Sequence, residues 1–194
     1  MNEQLHIAGF AGSLRSQSYN RRLLEIAAEL MPPGMRLEIL DIDLPMYNPD
    51  LESQPLPEPV RRFREGVAGA DGLLIATPEY NHSIPAVLKN ALEWLSRPLP
   101  DLPASGKLAA IMGAGGRVGT ARAQTHLRQI AHSLNMLVLS RPEVLIANAS
   151  AVFDEQGRLL DEAALGFIHQ QMVALEAGVR FLQTRQSIGE MIRF

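Results

Sequence analysis

Leu5-His6-Ile7-Ala8-Gly9-Phe10-Ala11, then Gly12-Ser13-Leu14-Arg15-Ser16-Gln17-Ser18-Tyr19-Asn20, then the periodic run Arg21 to Met31: this passage decides the fold. A short, almost continuously apolar run suits a strand covered on both faces. The polar turn opened by Gly12 leads into residues that place Leu23, Leu24, Ala27, Ala28 and Leu30 on one side. That is the spacing of a helix, and Pro32-Pro33-Gly34 ends it. Strand, turn and helix in this order open an α/β protein.

The same alternation continues outward. Further apolar runs lie at Leu37 to Leu40, Gly72 to Ala76, Leu108 to Gly113 and Met136 to Leu139, the last continued by Val144 to Ala147. Between them, Pro85 opens a helix carrying Val87, Leu88, Ala91, Leu92 and Leu95. A helix from about Thr120 carries Leu127, Ile130, Ala131 and Leu134. A long amphipathic helix from Asp161 repeats Leu165, Ile168, Met172, Leu175, Val179 and Leu182. These elements predict a single α/β domain of 194 residues. Its five-stranded parallel sheet has the flavodoxin-like order 2-1-3-4-5, with helices on both faces. In such sheets a ligand lies beyond the carboxyl ends of the strands, which directs attention to the loops after strands 1, 3 and 4.

Composition narrows the chemistry. Lys and Arg total 18 against 21 Asp and Glu, a net charge of −3 that predicts no nucleic-acid or anionic-membrane partner. No apolar run reaches the ~20 residues of a membrane-spanning helix, and the polar start resembles no signal peptide, so the expected location is cytoplasmic. Cysteine is absent, which excludes disulfides, thiolate nucleophiles and Cys-ligated metals. His6, His82, His126, His132 and His169 form no H-E-x-x-H pattern, and Ser13 is not in G-x-S-x-G. No metal and no catalytic side chain is expected; redox chemistry here requires a bound cofactor.

The loop after strand 1 offers Ser13, Arg15, Ser18 and Asn20 just before a helix N-terminus, whose free N–H groups suit a phosphate. A capping role for Ser18 or Asn20 fits equally well by itself. The loop is neither G-x-G-x-x-G nor a P-loop, so its hydroxyls and single arginine favour a monophosphate. After strand 3, Thr77-Pro78-Glu79-Tyr80-Asn81-His82-Ser83-Ile84-Pro85 is stiffened at both ends by proline. It can present Tyr80, Asn81 and backbone groups to a planar ring, while Ser83 caps the next helix. After strand 4, Gly113-Ala114-Gly115-Gly116-Arg117-Val118-Gly119 permits close backbone approach, as any flexible turn would. Arg117 and Arg122 are placed either to attract dinucleotide phosphates or to be solvated.

Together these loops, with Leu88-Lys89-Asn90-Ala91, Trp94, Ala121-Arg122-Ala123-Gln124, Leu127-Arg128-Gln129 and Arg141-Pro142-Glu143, resemble the NADPH-dependent FMN reductase family. The likeness is greatest to its quinone- and chromate-reducing members. The resemblance implies FMN as cofactor, NADPH or NADH as reductant, and a small acceptor such as a quinone, chromate, azo compound or free flavin. It implies that Ser13, Arg15, Ser18 and Asn20 hold the FMN phosphate. Pro78, Glu79, Tyr80, Asn81 and Ser83 then line the ribityl chain and ring, with Gly115 and Gly116 beside the isoalloxazine. It also implies a homodimer or homotetramer, with the loop Asp41 to Pro59 and the helix around Arg122 as candidate contacts. His82 stands where relatives often carry a second tyrosine, and Thr125 where some carry another aromatic. A flavodoxin-like electron carrier without its own turnover is the alternative, though such shuttles are usually far more acidic.

Overall fold

A computed structural model describes residues 4–100 and 102–191. In chain order the elements are β1 (Leu5–Ala11), α1 (Tyr19–Glu29), β2 (Met35–Ile39), α2 (Pro49–Glu52), α3 (Glu58–Ala68), β3 (Gly72–Ala76) and α4 (Ala86–Leu95). They continue with β4 (Leu108–Ala114), α5 (Ala121–Ser133), β5 (Leu137–Val138), β6 (Val144–Ile146), α6 (Ala149–Val152) and α7 (Glu162–Met191). Every strand pair is parallel and the order is β2-β1-β3-β4-β5, the order expected.

The fifth position is shared by two pieces. β5 pairs with the start of β4 (Leu108 with Leu137) and β6 with its end (Met112 with Val144), so β6 is a sixth strand. Across the break, the Gln171 side chain reaches from α7 and donates to the carbonyls of Ile111 and Pro142. From the opposite face, Gln124 donates to Val144. The glutamines supply bonds that the broken strand does not.

Strand alternation divides the core into two layers. Ile7 and Ala11 of β1, Leu74 of β3, and Ala110 and Met112 of β4 pack under α1 and α7. Phe10 of β1, Leu73 and Ile75 of β3, and Ile111 of β4 pack under α3, α4 and α5. The helix at Glu58–Ala68 is an addition to the sequence reading. Its inward stripe Val60, Phe63 and Val67 is interleaved with Arg61, Arg62, Arg64 and Glu65, which dilutes the apolar signal. In α1, Ile26 rather than Ala28 completes the buried face.

Tyr80 and Ser83 exchange both backbone hydrogen bonds, each 3.0 Å, with Asn81 (φ 50°) and His82 (φ 66°) between them. Two positive φ values define a type I′ turn, whose favoured sequence is Asn-Gly. His82 occupies the position that glycine prefers, at a cost in backbone strain. His82→Gly is therefore expected to raise the unfolding free energy by about 0.5–1 kcal/mol in urea titrations. A loss of stability instead would show that the imidazole makes a stabilising contact outweighing the strain.

Candidate cofactor site

The loops at the carboxyl ends of β1, β3, β4 and β6 enclose a cavity of about 340 Å³. That size falls within the range of small-molecule and cofactor sites, roughly 300–1,000 Å³. Of the residues singled out from the sequence, Ser13, Arg15, Ser18, Asn20, Pro78, Glu79, Tyr80, Gly115 and Gly116 line it. Asn81 and Ser83 do not: the type I′ turn carries Asn81 to the surface, and Ser83 Oγ lies 3.0 Å from His126 Nδ1. Nor does Ser83 cap α4, whose N-cap is Pro85 with no side-chain bond.

Along the β1 loop the donors stand ready. Among the described residues the backbone amides of Leu14, Ser16, Gln17 and Ser18 have no backbone acceptor, and the Arg15 guanidinium has no protein partner. Ser18 is the N-cap of α1 and accepts from the Arg21 amide at 3.4 Å. Capping does not use up this side chain, because the hydroxyl retains its own proton to donate. Amides, hydroxyls and one guanidinium at the positive end of an 11-residue helix form a set that fits a phosphate monoester.

The opposite wall is fixed through Glu79. Its carboxylate, 8 % exposed, accepts from the Arg122 amide at 3.0 Å, the Ala123 amide at 3.2 Å and Arg122 Nη1 at 3.0 Å. Thr120, the N-cap of α5, makes no side-chain cap bond, so Glu79 caps this helix from the β3 loop. Arg122 is thus committed to Glu79 rather than simply solvated.

The glycines divide by role. A Cβ on Gly115 would collide with the carbonyl oxygen of Gly119, whereas one on Gly116 would meet nothing within 4 Å. Gly115 is needed for internal packing; Gly116 stands clear of the protein's own atoms. Gly116→Ala is expected to keep the apoprotein's melting temperature and weaken FMN binding roughly three- to tenfold by fluorescence titration. Unchanged affinity would remove Gly116 from the ligand's side.

The sequence reading missed a fourth wall. Asn148, Ala149 and Ser150 line the cavity, as do Tyr19 and Ala114. The Asn148 amide donates to the Gly116 carbonyl and the Ala149 amide to that of Gly115. Asn148 has the left-handed backbone (φ 48°) that asparagine tolerates better than most residues. The signal was available: the apolar run Val144 to Ala147 ends at Asn148, and the strand-end rule applies there too. A larger cleft of about 650 Å³ lies beside α3, but Glu38, Asp41, Asp43 and Glu58 line it, which disfavours an anion.

The fold and cavity define a flavodoxin-like mononucleotide-binding protein. Residues 5–151 match the family model described as NADPH-dependent FMN reductase, and the chain belongs to that family. It is 52 % identical to an NAD(P)H-dependent FMN reductase of Pseudomonas aeruginosa, over 94 % of this chain and all of the relative. It is 41 % identical to a 2-hydroxy-1,4-benzoquinone reductase of a Burkholderia species, over 91 % of this chain and 97 % of that protein. Among solved structures, the flavoenzyme NAD(P)H:(acceptor) oxidoreductase FerB of Paracoccus denitrificans superposes with a TM-score of 0.80. It is 32 % identical, with 93 % and 98 % of the two chains covered.

Proposed function

We propose that this protein is an NAD(P)H-dependent FMN reductase that passes electrons to small acceptors, quinones foremost. The observation that carries the reading is the row of unpaired β1-loop amides beside the partnerless Arg15, opening on the 340 Å³ cavity. FMN held there would supply the redox chemistry, two-electron exchange between NAD(P)H as hydride donor and a quinone that also takes up two protons.

The chain's own part is binding and exposure. Ser13, Arg15, Ser18 and the neighbouring amides hold the phosphate; Pro78, Glu79, Tyr80, Gly115 and Gly116 border the rest of the cofactor. Asn81 and Ser83 act through the turn they build rather than by contact. Tyr80, 48 % exposed on its rigid turn, supplies an aromatic face at the cavity's rim. An open rim suits an exchange of two substrates in turn, since reductant and acceptor each need access.

Among the described residues no helix is long and apolar enough to cross a membrane. We place the enzyme in the cytoplasm as one domain per chain, assembled into a homodimer or homotetramer. Phe167 and Phe181, 49 % and 58 % exposed and two heptads apart on α7, supply an apolar stripe for a second copy.

The test is an absorbance spectrum of the purified protein with FMN, before and after anaerobic NADPH. Flavin bands that bleach with NADPH and recover on adding a quinone are expected. Bound flavin that NADPH leaves oxidised would make the protein an electron carrier, and no flavin binding would overturn the reading.

A further inference from the structure

Asn20 occupies the first turn of α1 and is 3 % exposed. Its carboxamide forms a closed pair with one residue of β4: Nδ2 donates to the Ala114 carbonyl and Oδ1 accepts from the Ala114 amide, both at 2.9 Å. The reason lies in the sheet. β3 and β4 run in register to Ala76 and Met112, and the last bond between them comes from the Thr77 amide to the Met112 carbonyl. Beyond it the chain after β3 turns away into the Pro78 loop. Ala114 faces the same side as Met112, so its amide and carbonyl have lost their strand partner. The Asn20 carboxamide takes that place. The far flank of the same segment is held by β6 and the start of α6, through the Gly115 amide to the Ile146 carbonyl and the Asn148 amide to the Gly116 carbonyl.

We infer that Asn20 is a positioning residue: it fixes the root of the 114–116 segment against the β1 loop, and acts on the flavin through that segment rather than by holding the phosphate. This rests on the FMN reading above. Oδ1 and one of the two Nδ2 protons are engaged with Ala114, so this pair sets the orientation of the buried side chain, while Ser13, Arg15, Ser18 and the loop amides have donors with no such commitment to the sheet. The clamp joins two walls of one cavity, since α1 begins at the phosphate loop and Ala114 leads directly into Gly115 and Gly116.

Riboflavin separates the two roles, because it carries the ring and ribityl chain without the phosphate. Dissociation constants for FMN and riboflavin are measured by fluorescence titration for the wild type, Asn20→Ala and Arg15→Ala, alongside melting temperatures. In Asn20→Ala both flavins are expected to weaken roughly tenfold, with their ratio preserved within about twofold. In Arg15→Ala only FMN weakens. If Asn20→Ala fails to fold, Asn20→Thr goes through the same comparison; its shorter side chain gives up the paired bonds to Ala114 but fills more of the site, and both flavins are expected to weaken to an equal degree. Loss confined to FMN would make Asn20 a phosphate ligand and overturn the inference. So would a lowered melting temperature with both affinities unchanged, which marks a merely structural bond. A wild type that binds neither flavin would overturn the cofactor reading, and this inference with it.

Discussion

Replacing Asn90 by alanine is expected to lower the unfolding free energy by about 2–4 kcal/mol. Asn90 lies on α4, is buried, and holds a stretch of chain that has no strand or helix of its own. Its Oδ1 accepts from the Tyr47 amide at 2.8 Å; its Nδ2 donates to the carbonyls of Leu44 at 3.2 Å and Pro45 at 3.1 Å. One turn on, Trp94 Nε1 donates to the same Pro45 carbonyl at 2.8 Å, and the Tyr47 and Trp94 rings meet edge to face at 5.1 Å. Alanine would strip partners from the Tyr47 amide and Leu44 carbonyl together, and buried groups without partners are costly. Trp94 is the chain's single tryptophan, so its fluorescence reports the transition in urea directly. A shift under about 0.5 kcal/mol would mean that the 41–48 segment is held mainly by other contacts.

Glu79→Ala is expected to lower stability by about 1–3 kcal/mol and to weaken FMN binding roughly tenfold. The stability loss follows from uncapping α5. The binding loss follows because the same carboxylate ties the Tyr80 turn to the element that begins after the glycine segment. Glu79 also gives the effect a pH signature. Burial pushes its carboxyl upward, but the Arg122 guanidinium and the amides of Ala123 and Arg122 together outweigh burial and hold it below the ordinary glutamate range. A carboxyl depressed in the folded state contributes stability that is fully present above its unfolded value, about 4.3, and is lost as pH falls through its folded value. The advantage of wild type over Glu79→Gln is therefore expected to be constant at neutral pH and to shrink as the solution is acidified below about 4.3. An advantage that grows on acidification would place the carboxyl's shift in the opposite direction.

Most of the sheet was legible in the sequence because β1, β3 and β4 are buried on both faces and read as nearly unbroken apolar runs. The helix α3 was not, since its buried face contains Arg64 beside Val60, Phe63 and Val67, with Arg61, Arg62 and Glu65 between them. The divided fifth strand was half legible: both apolar runs were visible, but their pairing with opposite halves of β4 is a tertiary fact. In the site, residue types pointed to the β1 loop as a cavity wall, because a helix start rich in hydroxyls is a local feature. They did not reveal which way side chains point. Asn81 and Ser83 looked like Tyr80 as neighbours in sequence, yet positive φ at two successive residues turns them away from the cavity. Locally Asn20 suits a helix cap or a phosphate donor; no local rule shows that its carboxamide pairs with Ala114, 94 residues later in the chain.

The broken outer strand also bears on how the protein behaves in crowded surroundings. A long, flat sheet edge invites another chain to add a strand, the first step toward aggregates. Here one border offers only the two residues of β5 and the three of β6, separated by a segment containing Pro142, which cannot donate a ladder bond. The other border is β2, which carries the exposed charges of Arg36 and Glu38. Neither side offers an incoming strand a continuous, uncharged template, so a fold with two open borders stays safe to make in quantity.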